Sequence, residues 1–282
     1  MIRSLTARLL SALALAPLFA LAYGALPALA EPRHNWGLWT LPPASPTMEG
    51  VESLNNKISI VIALITVLVF VLLGYIVWKF SAKTHPQPST RTHNTVLEVI
   101  WTLIPVVILV AIAFPSFRLL YAEDHAPDPK LTLKVIGHQW YWSYEFPDLG
   151  VSFDSNVKQD SDLKPGDERL LSVDAPLYLP VGEDIRIQVT AEDVIHSWSV
   201  VQFGVKTDAV PGRLNEAWTR IDAPGTYFGQ CSQLCGINHG YMPIEVRAVP
   251  PAEFQAWIDQ HKTTKKSSAD GAAILADATL QR

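Results

Sequence analysis

The chain has 282 residues, of which 49% are hydrophobic and 17% charged, and its formal net charge is −5. That length accommodates one sizeable domain with additions, and so apolar a composition is unusual for a wholly soluble protein. It contains no internal repeat, no phosphate loop and no nucleic-acid motif, which removes P-loop and nucleic-acid functions from consideration.

The apolar excess is concentrated before residue 120. The first thirty residues read as a secretory signal. Arg3 and Arg8 supply a positive start, a long apolar stretch follows, and Ala28-Leu29-Ala30 forms a small-x-small cleavage site before Glu31. Pro17, Gly24 and Pro27 argue against a stable membrane span there. Residues 31–57, with Trp36, Trp39 and prolines at 42, 43 and 46, read as an ordered but irregular arm at the outer membrane face.

Ile58 to Trp78 is a near-continuous apolar run, long enough at about 1.5 Å per residue to cross a hydrocarbon core of about 30 Å. Val99 to Phe117 forms a second span, whose Pro105 and Pro115 are tolerable in a membrane helix because neighbours and water satisfy the freed carbonyls. The expected hairpin covers 58–118. Its link, 79–95, carries Lys79, Lys83 and Arg91, with no acid before Glu98. The positive-inside rule makes that link cytoplasmic and both chain ends external, in agreement with a signal peptide.

From residue 119 to 261 the character changes. LTLKVIG, WYWSYEF, RLLSV, DIRIQVT, EAWTRI, TYFGQ and MPIEVRAV alternate with turns rich in Pro, Gly and Asp, the pattern of an all-β sandwich or barrel. PPAEFQAWIDQH, 250–261, reads as a closing helix with Pro at its start. The tail, 262–282, has little to bury and is expected to be disordered. There is no C-x-x-C-H, hence no covalently attached c-type haem.

Both cysteines of the chain lie in CSQLCGINHGYMP, Cys231 to Pro243. Gly236, Gly240 and Pro243 make it a loop. Cys231, Cys235, His239 and Met242 follow at short intervals and offer thiolate, imidazole and thioether, the soft donors that suit copper. On the cysteines alone a disulfide is an equal alternative in an exported chain; the His and Met that follow favour metal. One thiolate more than a mononuclear blue-copper site needs points to a second metal, and His196 in DVIHSW is the best candidate for a further ligand.

This stretch resembles the binuclear copper (Cu-A) loop of subunit II of the haem–copper cytochrome c oxidases, bacterial aa3-type, which reads C-S-E-x-C-G-x-x-H-x-x-M-P. It departs from that pattern at Gln233. HNTVLEVIWT, GHQWYWSYEF, DVIHSW and GVKTDAVPGRLN are similar to further segments of that family in the same order. The resemblance implies a two-helix anchor in a bacterial inner membrane and a periplasmic cupredoxin-like domain seated on subunit I. It implies His196 and His239 as terminal ligands, Cys231 and Cys235 as bridging thiolates, and Met242 and the Gln233 carbonyl as weak ligands. It also implies electron uptake from cytochrome c at Trp140, docking carboxylates at Glu145, Asp154, Asp174 and Asp193, and a proton-channel mouth at Glu98. Asp208 falls near the magnesium and water region between the subunits, a magnesium site that Gln233 weakens.

Tyr141, Trp142 and Tyr144 read as core aromatics beside Trp140. Residues 121–260 hold 21 acidic and 10 basic residues, a net of −11, which would steer a basic cytochrome by long-range attraction. A merely solubilised surface fits that count equally well. Two other functions compete. A quinol-oxidase subunit II keeps the fold as a structural protein but lacks the copper ligands, and a copper-handling protein needs neither the GHQWYW strand nor paired spans.

Overall fold

The computed structural model describes residues 40–87, 89–124 and 127–262. The signal-peptide segment, residues 31–39 of the arm and residues 263–282 of the tail lie outside the described residues.

The first helix, α1, runs Pro46–Lys79 and the second, α2, Thr95–Asp124. Both are long and apolar enough to cross a membrane. Apolar side chains such as Leu64, Phe70, Leu103 and Phe114 are exposed along them, as expected of helices whose outer surface meets lipid. Pro105 and Pro115 sit inside α2 without ending it. At 34 residues α1 spans about 51 Å, well beyond the apolar run. The irregular structure expected for the arm is therefore corrected over 46–57, which is helix. The reason lies in the capping residues: the Ser45 hydroxyl accepts the Met48 N–H at 3.0 Å, Pro46 occupies the first helical position, and Glu49 sits in the first turn. Pro46 starts a helix where a sequence reading takes it as a breaker.

Ten strands follow: β1 Leu131–His138, β2 Tyr141–Phe146, β3 Val151–Ser155, β4 Leu177–Pro180, β5 Asp184–Ala191, β6 His196–Val200, β7 Val205–Ala209, β8 Asn215–Arg220, β9 Gly225–Cys231 and β10 Pro243–Val249. They form two five-stranded sheets, ordered β3-β2-β1-β5-β8 and β4-β10-β9-β6-β7. The sheets pack face to face as a cupredoxin-like sandwich. Trp142, Tyr144, Phe146, Leu133, Ile185 and Ile187 from the first sheet meet Trp198, Tyr227, Leu177 and Leu179 from the second. Residues 251–262 form a third helix, α3, whose Phe254 and Trp257 close over Phe146.

The strand pattern differs from expectation at one expected segment and at four strands outside the expected set, β3, β4, β6 and β7. RLLSV is not a strand: residues 169–171 turn, Leu170 has φ +67°, and the Leu171 and Ser172 N–H groups both donate to the Glu168 carbonyl. Val173 forms only an isolated bridge with Val157. Its N–H finds the buried Glu245 carboxylate at 2.9 Å, so a side chain supplies what a ladder neighbour would. Among the strands not expected, VSFDS pairs with β2 along its whole length as the edge strand β3.

The loop joining β9 to β10 lies at one end of the sandwich, beside the start of β6 and the β1–β2 turn. The helices attach at the other end, where the 3-10 turn Val201–Phe203 follows β6.

Candidate metal centre

Strand geometry places the donor atoms. Cys231 ends β9 opposite Trp198 of β6, which brings His196, at the start of that strand, beside the cysteine. The Cys231 Sγ lies 4.0 Å from His196 Nδ1, 3.9 Å from Cys235 Sγ and 3.3 Å from the Gln233 carbonyl. The Cys235 Sγ lies 3.5 Å from His239 Nδ1 and 3.5 Å from Met242 Sδ. Both cysteines are free and buried. The donor atoms of His196, Cys231 and Cys235 lie within 4.8 Å of one another. All six donors expected from the sequence are thus brought together.

Burial alone lifts the Cys231 thiol, but hydrogen bonding from His196 and from the backbone of Ser197 and Gln233 outweighs it and holds the thiol well below its ordinary range. Burial, and then the negative charge of Cys231, push Cys235 the other way. The pair takes one negative charge readily and resists the second. A bound soft cation would remove that resistance, and a set of two buried thiols, one buried and one half-buried imidazole and a buried thioether is the donor chemistry copper prefers.

The residues around the donors hold them in place. The ring of His196 is fully buried, edge-on to Trp142 at 5.9 Å. A Cβ on Gly137 of β1 would lie 2.8 Å from the ring, so only glycine fits there. The outer nitrogen, Nε2, lies 2.8 Å from Asp193 Oδ1, which fixes the ring's orientation and would leave Nδ1 free to ligate a metal in place of its contact with Cys231. The Trp142 indole N–H donates to the Met242 carbonyl at 3.1 Å. Asp193 is held below the usual carboxylate range: burial raises it, but hydrogen bonds from His196, Val194 and Gln139 outweigh that.

Trp140 donates its indole N–H to the Cys235 carbonyl at 3.2 Å, and Gln139 Nε2 donates to the same oxygen at 2.8 Å. Trp140 is half-buried, with its ring against Gly236. Trp142 and Tyr144 are core, whereas Tyr141 is half-buried and stacks on His138 at 4.4 Å.

Each of the four candidate docking acids is engaged by neighbours. Glu145 and Asp154 lie on the adjacent strands β2 and β3. Asp154 and Asp193 are both close enough to Tyr141 to add to the rise that burial gives its hydroxyl pKa. Glu145 pairs with Lys134 at 3.1 Å, and Asp154 accepts the Ser143 hydroxyl at 2.6 Å. Asp174 accepts from the Asn156 backbone and side chain at 2.7 and 3.1 Å. Asp193 braces the candidate ligand cluster: Oδ1 takes His196 Nε2 and the Val194 N–H, and Oδ2 takes the Gln139 N–H at 2.6 Å. Sequence reasoning missed that role, and it missed Gln139; an aspartate three residues before a ligand histidine was the available signal. Glu98 lies far from this centre, in the first turn of α2, where it accepts the Asn94 N–H at 3.1 Å.

The sequence matches the family described as cytochrome C oxidase subunit II, transmembrane domain, over residues 33–119, and that described as cytochrome C oxidase subunit II, periplasmic domain, over residues 131–249. The "Probable cytochrome c oxidase subunit 2" of Rickettsia felis is 46% identical over 230 residues, 81% of this chain and 73% of that protein. Cytochrome c oxidase subunit 2 of Cereibacter sphaeroides is 43% identical over 237 residues, 78% of each. A crystal structure of the periplasmic domain of cytochrome oxidase subunit II of Bradyrhizobium japonicum superimposes with a TM-score of 0.47 at 46% identity, covering 50% of this chain and 99% of that one. The chain belongs to the cytochrome c oxidase subunit II family.

Proposed function

We propose that this subunit takes single electrons from cytochrome c at a binuclear Cu-A centre and relays them to the haem of subunit I, where oxygen is reduced and protons are pumped. The convergence of Cys231, Cys235, His196, His239, Met242 and the Gln233 carbonyl at one end of the sandwich carries this proposal. A copper pair bound there would supply one-electron redox chemistry. The chain's residues do the rest. His196 and His239 would hold the metal through Nδ1 and the two cysteines through their sulfurs, and the β-scaffold keeps their spacing fixed. Trp140 offers a half-buried ring hydrogen-bonded to the backbone of a ligand cysteine, a short route from surface to metal. Reduction of the purified oxidase by cytochrome c, followed at the copper band before the haem band, tests the role; haem reduction with no prior copper change would contradict it.

The domain then lies on the periplasmic side of a bacterial inner membrane with both termini there, a cleaved signal at 1–30, and the 79–95 link in the cytoplasm. Glu98, at the cytoplasmic end of α2, marks the proton-channel mouth. Glu145, Asp154 and Asp174 remain for cytochrome docking, with Asp193 split between docking and His196. Asp193→Asn is therefore expected to weaken copper retention by about 10–100-fold, whereas Glu145→Gln should weaken cytochrome binding only at low salt, since surface charges are screened over about 8–10 Å. Copper titration of both variants separates the effects.

Gln233 is exposed, and its side chain is free to reach across to a partner. Its carbonyl serves the copper loop as glutamate's would. Its amide supplies a dipole where a hard cation prefers a carboxylate, so the magnesium at the subunit I interface is held weakly. Gln233→Glu is expected to raise magnesium retention through chelator treatment without altering the copper spectrum. Equal retention in both forms would show that the charge is immaterial.

A further inference from the structure

At the base of the sandwich, opposite the ligand loop, the start of α1 is seated in the domain. Ser45 is fully buried. Its hydroxyl donates to the Phe203 carbonyl at 2.8 Å while accepting the Met48 N–H at 3.0 Å. On either side, the Ala44 N–H donates to the Gln202 carbonyl at 2.8 Å and the Asp222 N–H donates to the Ala44 carbonyl at 3.0 Å. Gln202 Nε2 donates to the Pro42 carbonyl at 3.3 Å. Ala44 and Met48 are buried with Ser45. The Met48 backbone lies against Gly204, where φ is +67° and a Cβ would come within 3.0 Å of the Met48 nitrogen. The far end of α2 is tied to the same base, because Trp218 donates to the Ala122 carbonyl at 3.0 Å.

A helix cap needs only to accept, and it does so well at a water-exposed surface. The second bond of Ser45, to a carbonyl 158 residues away in sequence, adds nothing to the helix itself. What it does is register the helix on the sandwich. Phe203 closes the 3-10 turn that follows β6 directly, and β6 begins with the ligand His196. Five strand residues span roughly 17 Å, so β6 is a stiff strut with the anchor at one end and the metal centre at the other.

We infer that Ser45 is a positioning residue for onward electron transfer: by locking the first membrane helix to the carbonyl of Phe203, it fixes where the ligand loop is held above the membrane partner. The inference rests on the proposed electron-transfer role. Tunnelling falls exponentially with distance, so a tilt of the strut slows the step across the subunit boundary and leaves the step before it unchanged. The ligand loop itself shares none of these contacts.

The test uses the assembled oxidase with Ser45→Ala and, separately, Gly204→Ala, which attacks the same contact from the other side. Flash-induced electron injection resolves copper reduction from haem reduction. Both variants should keep two coppers per chain, the parental copper spectrum and the parental rate of uptake from cytochrome c. The copper-to-haem step should slow several-fold in both variants, the direction that a longer tunnelling distance imposes. A parental copper-to-haem rate in both variants overturns the inference. So does a changed copper spectrum, because the seat would then act on the ligands and not on their placement. Failure of copper to be reduced ahead of haem in the parental oxidase would instead sink the electron-transfer role itself.

Discussion

Cys235→Ser is expected to leave a folded subunit that no longer takes electrons from cytochrome c. Serine is close to cysteine in size, and the site is 4% exposed, so the sandwich should melt near the parental temperature. What changes is the donor. Cys235 Sγ lies between Cys231, His239 and Met242, and a hydroxyl in that place is a hard, neutral donor that does not bridge soft metal ions. Copper content should fall to one per chain or below, and the many-line resonance pattern should collapse. Turnover should drop by more than the roughly 100-fold that loss of a supporting contact around a metal ligand costs. Two coppers with an unchanged spectrum in this variant would show that Cys235 is not a bridging ligand.

Trp140→Phe should separate electron arrival from metal binding. The indole lies outside the donor set, yet its N–H reaches the Cys235 carbonyl at 3.2 Å and its ring covers Gly236. Phenylalanine keeps a ring but loses that hydrogen bond and part of the surface offered to a docked haem edge. Gln139 still holds the Cys235 carbonyl at 2.8 Å, so the loop should stay in place. The expected result is a parental copper spectrum with uptake from cytochrome c slower by at least about tenfold, equivalent to about 1.4 kcal/mol of barrier. Uptake at the parental rate would make Trp140 a packing residue.

Much of this centre was legible because its donors are chemically distinctive and sit in one short loop: Cys231, Cys235, His239 and Met242 need only a turn between two paired strands to converge. His196 comes from a strand 35 residues earlier, and only the pairing of Trp198 with Cys231 brings it in; the motif around it pointed there, but the register did not follow from residue types. Asp193 was legible as an acid and not as the partner of His196, since nothing in a charge count tells a solvated carboxylate from one with both oxygens engaged. The two spans stood out by apolar length, while the helix before the first span did not, because its stability comes from Ser45, Pro46 and burial against Gly204 instead of from an apolar run. RLLSV misled for the opposite reason: its apolar run turns at Leu170, and its buried N–H groups are satisfied by Glu168 and Glu245.

The most direct test of the binuclear copper centre is copper analysis with paramagnetic resonance on the full chain, reconstituted with copper in detergent. The expected result is two coppers per chain, a purple species and a many-line pattern from one electron shared between two equivalent ions. One copper per chain with a simple four-line pattern, or a sulfur–sulfur bond between Cys231 and Cys235 in copper-replete protein, would contradict it.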